Sequence, residues 1–151
     1  MKALALILAV MLSGCSGLER WQESLRTSPP PTQAQIEQAM ADAGGAGLPL
    51  PVVIVATWPD MAKVDSTQIA PLAGFHIAGT SAIVLAPTWN EHGDGEATLA
   101  HEAYNYMRSL NGLPPDDCGG YAVSLRVADE HGWYNTWHEV DAGRRLAGCA
   151  V

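Results

Sequence analysis

The clearest hydrophobic pattern in the chain lies between Ala97 and Gly112. Apolar residues recur there at steps of three and four, the period of an α-helix, and form one stripe: Leu99, Ala103, Tyr106, Met107 and Leu110. His101 and Asn105 recur at the same spacing on another face, with Glu102 beside them. The pattern therefore predicts an amphipathic helix that ends near Gly112 and carries a His-Glu pair on its polar side.

Three further segments carry the helical period. The first begins after Thr32, a residue type favoured at helix N-caps. The second covers roughly Cys118 to His131, where either Asp116 or Asp117 can cap the first turn. The third is the C-terminal stretch from Trp133 to Val151. Together with the helix around His101, the sequence predicts four helices.

Strand patterns occur in two places. Pro51 to Trp58 is a run of β-branched residues that starts at a proline, and it predicts a buried strand. Gly74 to Pro87 predicts two short strands around the turn Ala78-Gly79-Thr80. Three apolar residues are expected at the centre of the sheet: Ile83, Val84 and Leu85. The order helix, strand, hairpin and three helices predicts an α+β fold, with helices packed on a small sheet that contains a hairpin.

The N-terminus has the pattern of a secretory signal. Lys2 is followed by a short apolar run, which is too short for a membrane-spanning helix of about 20 residues. The tail Leu12-Ser-Gly-Cys15 resembles the lipobox of bacterial lipoproteins. That resemblance implies cleavage before Cys15 and a diacylglyceryl group on its sulfur. The alternative is an ordinary signal peptide with an unrelated cysteine.

The signal sets the predicted domain boundaries. Residues 1–14 form the lipoprotein signal peptide, residues 15–31 a tether that ends in three prolines, and residues 32–151 the domain. Ser16 follows the lipidated cysteine, and the lack of Asp there implies the outer membrane in enterobacterial lipoproteins. We therefore expect a protein of the bacterial cell envelope that faces the periplasm and is held to the lipid bilayer through acylated Cys15.

The charge narrows the choice of partners. The formal net charge is −8, and loss of Lys2 with the signal makes it more negative. Nucleic acids and anionic membrane surfaces both attract a basic patch, so neither is the expected partner.

Two cysteines remain after lipidation, Cys118 and Cys149. Outside the cytoplasm an even pair indicates a disulfide, and the alternative is two buried thiols. Neither cysteine has the C-x-x-C spacing of a zinc ribbon or a redox pair.

The polar face of the central helix resembles the zinc metallopeptidases called zincins. His101, Glu102 and Asn105 form H-E-x-x-N, which is similar to the H-E-x-x-H of that family. In the family motif both histidines hold one zinc, and the glutamate acts as general base toward the metal-bound water. The resemblance implies that His101 is a zinc ligand, Glu102 the catalytic base and Asn105 the replacement for the second histidine. An amide oxygen is a weaker zinc ligand than imidazole.

The flanking sequence extends the resemblance over roughly Gly74 to Gly132, less than half of the chain. A strand and a polar loop precede the His-Glu helix, as in zincins, and D-D-C-G-G-Y-A-V-S-L follows it. That segment looks like the second zincin helix, which supplies a third ligand. Gly119 and Gly120 stand where the acid is expected. Asp116 and Asp117 lie just upstream as substitutes for it, and the resemblance is taken to imply Asp117 as the third ligand.

Three interpretations follow from these residues. The first is a zinc-dependent, peptidase-like hydrolase with Asn105 or another histidine, best His138, completing the site. The second is a zincin-like domain that has lost its metal and binds a peptide or an envelope protein as an accessory lipoprotein. The third is an unrelated helical domain. Trp58 and Trp89 follow strands and are candidates to line a cleft beside the His-Glu helix. Because all the ligands of one ion hold it jointly, the altered ligand favours the second interpretation.

Overall fold

The computed structural model describes residues 27–57 and 73–149. The predicted signal peptide, the lipidation site Cys15 and most of the tether lie outside these residues, and so does Trp58. Across the described ranges, no helix combines the length and hydrophobicity needed to cross a bilayer.

The described residues form four helices and a three-stranded mixed sheet, which confirms the predicted α+β class. The elements in chain order are α1 (Gln33–Asp42), β1 (Val52–Val55), β2 (Gly74–His76), β3 (Ala82–Leu85), α2 (Glu96–Leu110), α3 (Asp117–His131) and α4 (Tyr134–Leu146). The predicted His-Glu helix is α2.

The sheet has the order β1-β3-β2. The predicted hairpin is present, since β2 runs antiparallel to β3, whereas β1 runs parallel to β3. Ile83 and Leu85 of the central strand β3 are fully buried. The prediction of a buried first strand is wrong for one face, because Val52 and Ile54 of β1 are 57% and 49% exposed. An apolar run alone does not distinguish a central strand from an edge strand that is covered on one side.

Helix α2 is the centre of the packing, with α1, α3 and the strands β2 and β3 around it. Leu99, Ala103 and Tyr106 of the predicted stripe are buried, whereas Leu110 at the end of the helix is half exposed. Glu102 and Asn105 are also buried, although they belong to the predicted polar face. The reason is that α2 has neighbours outside the apolar stripe as well, with β2 against Glu102 and the start of α3 against Asn105.

Local signals in the sequence fix the helix ends. Thr32 forms the predicted N-cap of α1 through a capping box with Gln35. Asp116, rather than Asp117, caps α3 by accepting a hydrogen bond from the Gly119 N–H. Gly132 ends α3 in the left-handed conformation that glycine adopts at low cost.

A disulfide joins Cys118 and Cys149, as the sequence predicted. It ties the first turn of α3 to the residues that follow α4.

The end of the predicted tether lies on the domain. The indole N–H of Trp89 donates to the Pro29 carbonyl, and the Asn90 N–H donates to the Ser28 hydroxyl. Trp89 is 5% exposed, with Pro29 bonded to its indole. It does not line an open cleft, in contrast to the expectation from its position after β3.

Candidate functional site

The first half of α2 and the first two turns of α3 bring together four ionisable side chains. Nε2 of His101 lies 3.9 Å from Oδ1 of Asp117. The ring of Tyr121 meets the imidazole edge-on, with 4.9 Å between ring centroids. Glu102 is the fourth, and its charge acts on Tyr121. The imidazole is largely buried, whereas Asp117 is 71% exposed, so the cluster opens to solvent on the side of α3.

Two glycines allow α3 to approach α2 this closely. A Cβ atom added at Gly120 would lie 2.6–2.7 Å from atoms of the His101 ring. One added at Gly119 would lie 2.4 Å from the hydroxyl oxygen of Tyr104. The sequence pattern had suggested that these positions replace an acidic ligand. The structure gives them a packing role, because a larger residue at either position would have to displace the ring of Tyr104 or of His101.

Glu102 points toward the sheet. Its Oε2 accepts a hydrogen bond of 2.8 Å from the backbone N–H of His76 in β2. Because β2 is an outer strand, its His76 N–H has no neighbouring strand to bond to on that side in the sheet. The Glu102 carboxyl accepts this hydrogen bond instead. Burial raises the pKa of Glu102 to about 7, and the hydrogen bond from His76 opposes that rise by stabilising the ionised form.

The same environment shifts the pKa values of two further groups of the cluster, His101 and Tyr121. Burial lowers the pKa of His101, and the charges of Asp117 and Asp116 offset part of that effect. Burial also raises the pKa of Tyr121, with contributions from Asp117 and Glu102. A neutral imidazole beside a carboxylate is therefore favoured at neutral pH, and its lone pair can accept a proton or bind a metal ion.

Asn105 holds the connection between α2 and α3. It is 5% exposed, and its Oδ1 accepts a 2.9 Å hydrogen bond from the backbone N–H of Asp116. Arg108 on the next turn donates from Nε to the Pro114 carbonyl. The residue in place of the second zincin histidine thus fixes the backbone at the start of α3.

Replacing Asn105 by Ala should lower the free energy of unfolding by about 1–3 kcal/mol, because the Asp116 N–H loses its acceptor. Urea denaturation of the two proteins measures this difference. Asn111→Ala is the matched control, since Asn111 ends the same helix with an exposed side chain bonded to the Met107 carbonyl. It should cost less than about 0.5 kcal/mol. Equal effects of the two substitutions would contradict a special role for Asn105.

The structure does not gather the predicted ligand positions around one point. Only His101 and Asp117 approach one another, while Asn105 and Glu102 bond to backbone N–H groups elsewhere. His138, the predicted replacement ligand, lies on α4 against Tyr134 and Trp137. Within residues 27–57 and 73–149, no group of three or more His, Cys, Asp or Glu side chains is placed to hold a metal ion. Catalytic zinc in a peptidase needs three protein ligands and an open position.

Sequence reasoning missed two members of the site. Tyr121 follows Asp117 by four residues, so helical spacing already places both on one face of α3. The contact of the His76 backbone N–H could not be predicted from the sequence, because any residue except proline supplies such a donor.

Comparisons of the chain with protein-family models, with curated proteins and with solved structures gave no match. What the site can do therefore follows from its own residues.

Proposed function

We propose that this protein is a lipid-anchored lipoprotein of the bacterial cell envelope whose zincin-like domain is a non-catalytic binding or accessory module. In this proposal the H-E-x-x-N residues hold the fold together. The main support for this proposal is the hydrogen bond that the Asp116 N–H donates to Asn105. If Asn105 turned its oxygen toward a metal ion, it would leave that N–H without a partner, which is costly in a partly buried site.

The position of Glu102 supports the same proposal. A general base in a zinc peptidase needs its carboxylate beside the metal-bound water. Here one carboxylate oxygen is bonded to the edge of β2 through the His76 N–H. Turning it toward the His101–Asp117 pair would break this hydrogen bond between α2 and β2. The side chains that would act in catalysis thus stabilise the contacts of α2 on both of its sides.

A second candidate is a metal-dependent, peptidase-like hydrolase with zinc held by His101 and Asp117 and a further ligand from outside the pair. Its support is the 3.9 Å approach of those two side chains. The pKa of Glu102, about 7, also suits a general base at neutral pH. Glu102→Gln separates the two functions. A hydrolase loses activity and keeps its metal, whereas a binding module keeps its partner.

The anchor has a direct test at the N-terminus. In the membrane fraction of a bacterium that expresses the whole chain, we expect a protein that begins at Cys15 and carries acyl chains on it, because Leu12-Ser-Gly-Cys15 fits the lipobox. Mass spectrometry of the N-terminal peptide measures the modification. Cys15→Ala is the control and should abolish both processing and acylation. An unmodified Cys15 within an uncleaved chain would contradict the proposed lipid anchor.

A further inference from the structure

The imidazole of His101 lies largely in the interior, but its nitrogens have no bonded partner in the described residues. The side chain is 13% exposed, and neither ring nitrogen is sealed from solvent. Nε2 comes closest to a partner, at 3.9 Å from Oδ1 of Asp117, which is too far for a good hydrogen bond between the two atoms. Nε2 and Oδ1 are therefore both accessible, and both can accept a hydrogen bond from one further group.

Two neighbouring carboxylates at the start of α3 differ in their partners. Asp116 caps the helix by accepting a hydrogen bond from the Gly119 N–H, and it lies 3.7 Å from a guanidinium nitrogen of Arg108. Asp117 is 71% exposed, and within the described residues its ion-pair partner is His101 alone. The carboxylate of Asp117 is therefore available to a cation from another molecule.

The described part of the chain is acidic and holds no lysine. Its four arginines pair with other carboxylates: Arg108 with Asp116, Arg126 with Asp42 and Glu130, and Arg144 and Arg145 with Asp141. The whole chain has a net charge of −8. The field around Asp117 therefore attracts cations and repels phosphates and carboxylates.

We propose, on the basis of the non-catalytic binding module proposed above, that His101 and Asp117 bind a primary ammonium group of a peptide, carried by a lysine side chain or by the amino terminus. One N–H of the ammonium group donates to Oδ1 of Asp117. A second donates to Nε2 of His101, in the tautomer that carries its proton on Nδ1. The third N–H faces solvent on the side where Asp117 is exposed.

The separation of the two acceptors fits one ammonium nitrogen between them. Hydrogen bonds from a cation are about 2.7–2.9 Å long, so two acceptors of one nitrogen lie roughly 3.8–4.7 Å apart. The observed distance of 3.9 Å between Nε2 and Oδ1 lies within this range. Two ligand atoms of a tetrahedral zinc ion would lie closer together, at about 3.4 Å, and the ion would need a third ligand.

The arrangement also favours ammonium over guanidinium. A guanidinium group donates within one plane and pairs best with both oxygens of one carboxylate, whereas an ammonium group donates in three directions from one point. The two acceptors here belong to different helices. The ring of Tyr121 meets the imidazole edge-on, and Gly120 packs against it, so the imidazole is held in place before a ligand arrives.

An NMR titration of the mature chain from Ser16 tests the proposal. That chain lacks the lipidated Cys15, keeps the Cys118–Cys149 disulfide and contains every described residue. Two probes separate the sources of the amine: Nα-acetyl-lysine amide carries only the side-chain amine, and alanine amide carries only the terminal amine. Two further compounds are the controls, the uncharged Nα,Nε-diacetyl-lysine amide and the guanidinium compound Nα-acetyl-arginine amide.

We expect an amine probe to bind with a dissociation constant of about 1 mM and to shift the backbone amide signals of residues 117–121. The probe that binds more tightly shows which amine of a peptide the site takes. Asp117→Asn should weaken binding about tenfold or more, because it removes the charge that the ammonium group meets. Asp129→Asn, at an exposed position of the same helix, removes an equal charge and should bind like the unaltered chain.

Three results would overturn the proposal: no shift of these signals with either amine, equally tight binding of a control compound, or equal binding by the two asparagine variants. The zinc content of the same chain decides the proposed module separately. A chain that binds neither zinc nor an amine would leave the non-catalytic module in place and remove only its proposed ligand. A chain that takes up one zinc would contradict the module itself.

Discussion

Replacing Glu102 by Gln should make the protein more stable at pH 8, by about 3 kcal/mol. The pKa of the carboxyl rises from its ordinary value of 4.5 to about 7 in the fold, chiefly because burial disfavours the charged form. The folded protein therefore holds this proton more tightly than the unfolded chain does. The stability that results is fully present below about pH 4.5 and is lost as the pH rises through 7. Gln keeps an acceptor for the His76 N–H and carries no charge.

Urea denaturation at pH 4.5 and pH 8 measures this effect. The difference in unfolding free energy between Glu102→Gln and the unaltered chain should be small at pH 4.5 and large at pH 8. Comparison at the same pH cancels the contributions of all other titrating groups. Glu139→Gln, at an exposed position of α4, is the control and should leave the profile unchanged. A difference that does not vary with pH would show that the Glu102 carboxyl is not buried as described.

Removing the disulfide should have the other large effect. The double substitution Cys118→Ser and Cys149→Ser should cost about 3–4 kcal/mol, because the bond closes a long loop and so restricts the unfolded chain. The two cysteines are separated by 31 positions, and the loop contains all of α4. The bond also lies next to Asp117, so its loss should loosen the first turn of α3 beside His101.

Thermal unfolding with and without a reductant measures the contribution of the disulfide. The unaltered chain should lose stability in reductant and approach the double-serine variant, which should not respond to reductant. Thiol labelling after the experiment shows whether the bond was opened. An unaltered chain that unfolds at the same temperature with both thiols labelled would contradict the expected stabilisation.

The helices and the hairpin could be predicted because their signals are local. The stripe from Leu99 to Tyr106 has the helical period, and Thr32 and Gly132 act on the backbone next to them. The exposure of Val52 and Ile54 could not be predicted in the same way. It depends on the strand order, in which β1 lies at the edge although its sequence is as apolar as that of β3.

The same distinction between local signals and tertiary packing applies to the candidate site. The resemblance to zincins named His101 and Asp117 together, and the structure places them side by side. The partners of Asn105 and Glu102 are backbone N–H groups 11 and 26 residues away in sequence. Such donors have no signature in the sequence, so the structural roles of both residues emerge only from the packing of α2 between the sheet and α3.

Because Glu102 has a structural role, its raised pKa is not by itself a sign of catalysis. A carboxyl that titrates near 7 is a property of general bases, but burial at the edge of β2 is enough to cause it. The pKa is thus expected for either candidate function. The presence of a bound metal separates them, since only the hydrolase requires one.

The most direct measurement is the zinc content of the mature chain, purified without a histidine tag and without chelators and then incubated with zinc and desalted. His101→Ala, treated in the same way, is the reference. We expect far less than one zinc per chain in both proteins, because only two side chains approach one another where a zinc site needs three. About one zinc per chain, lost in His101→Ala, would contradict the proposed non-catalytic module and favour the metal-dependent hydrolase.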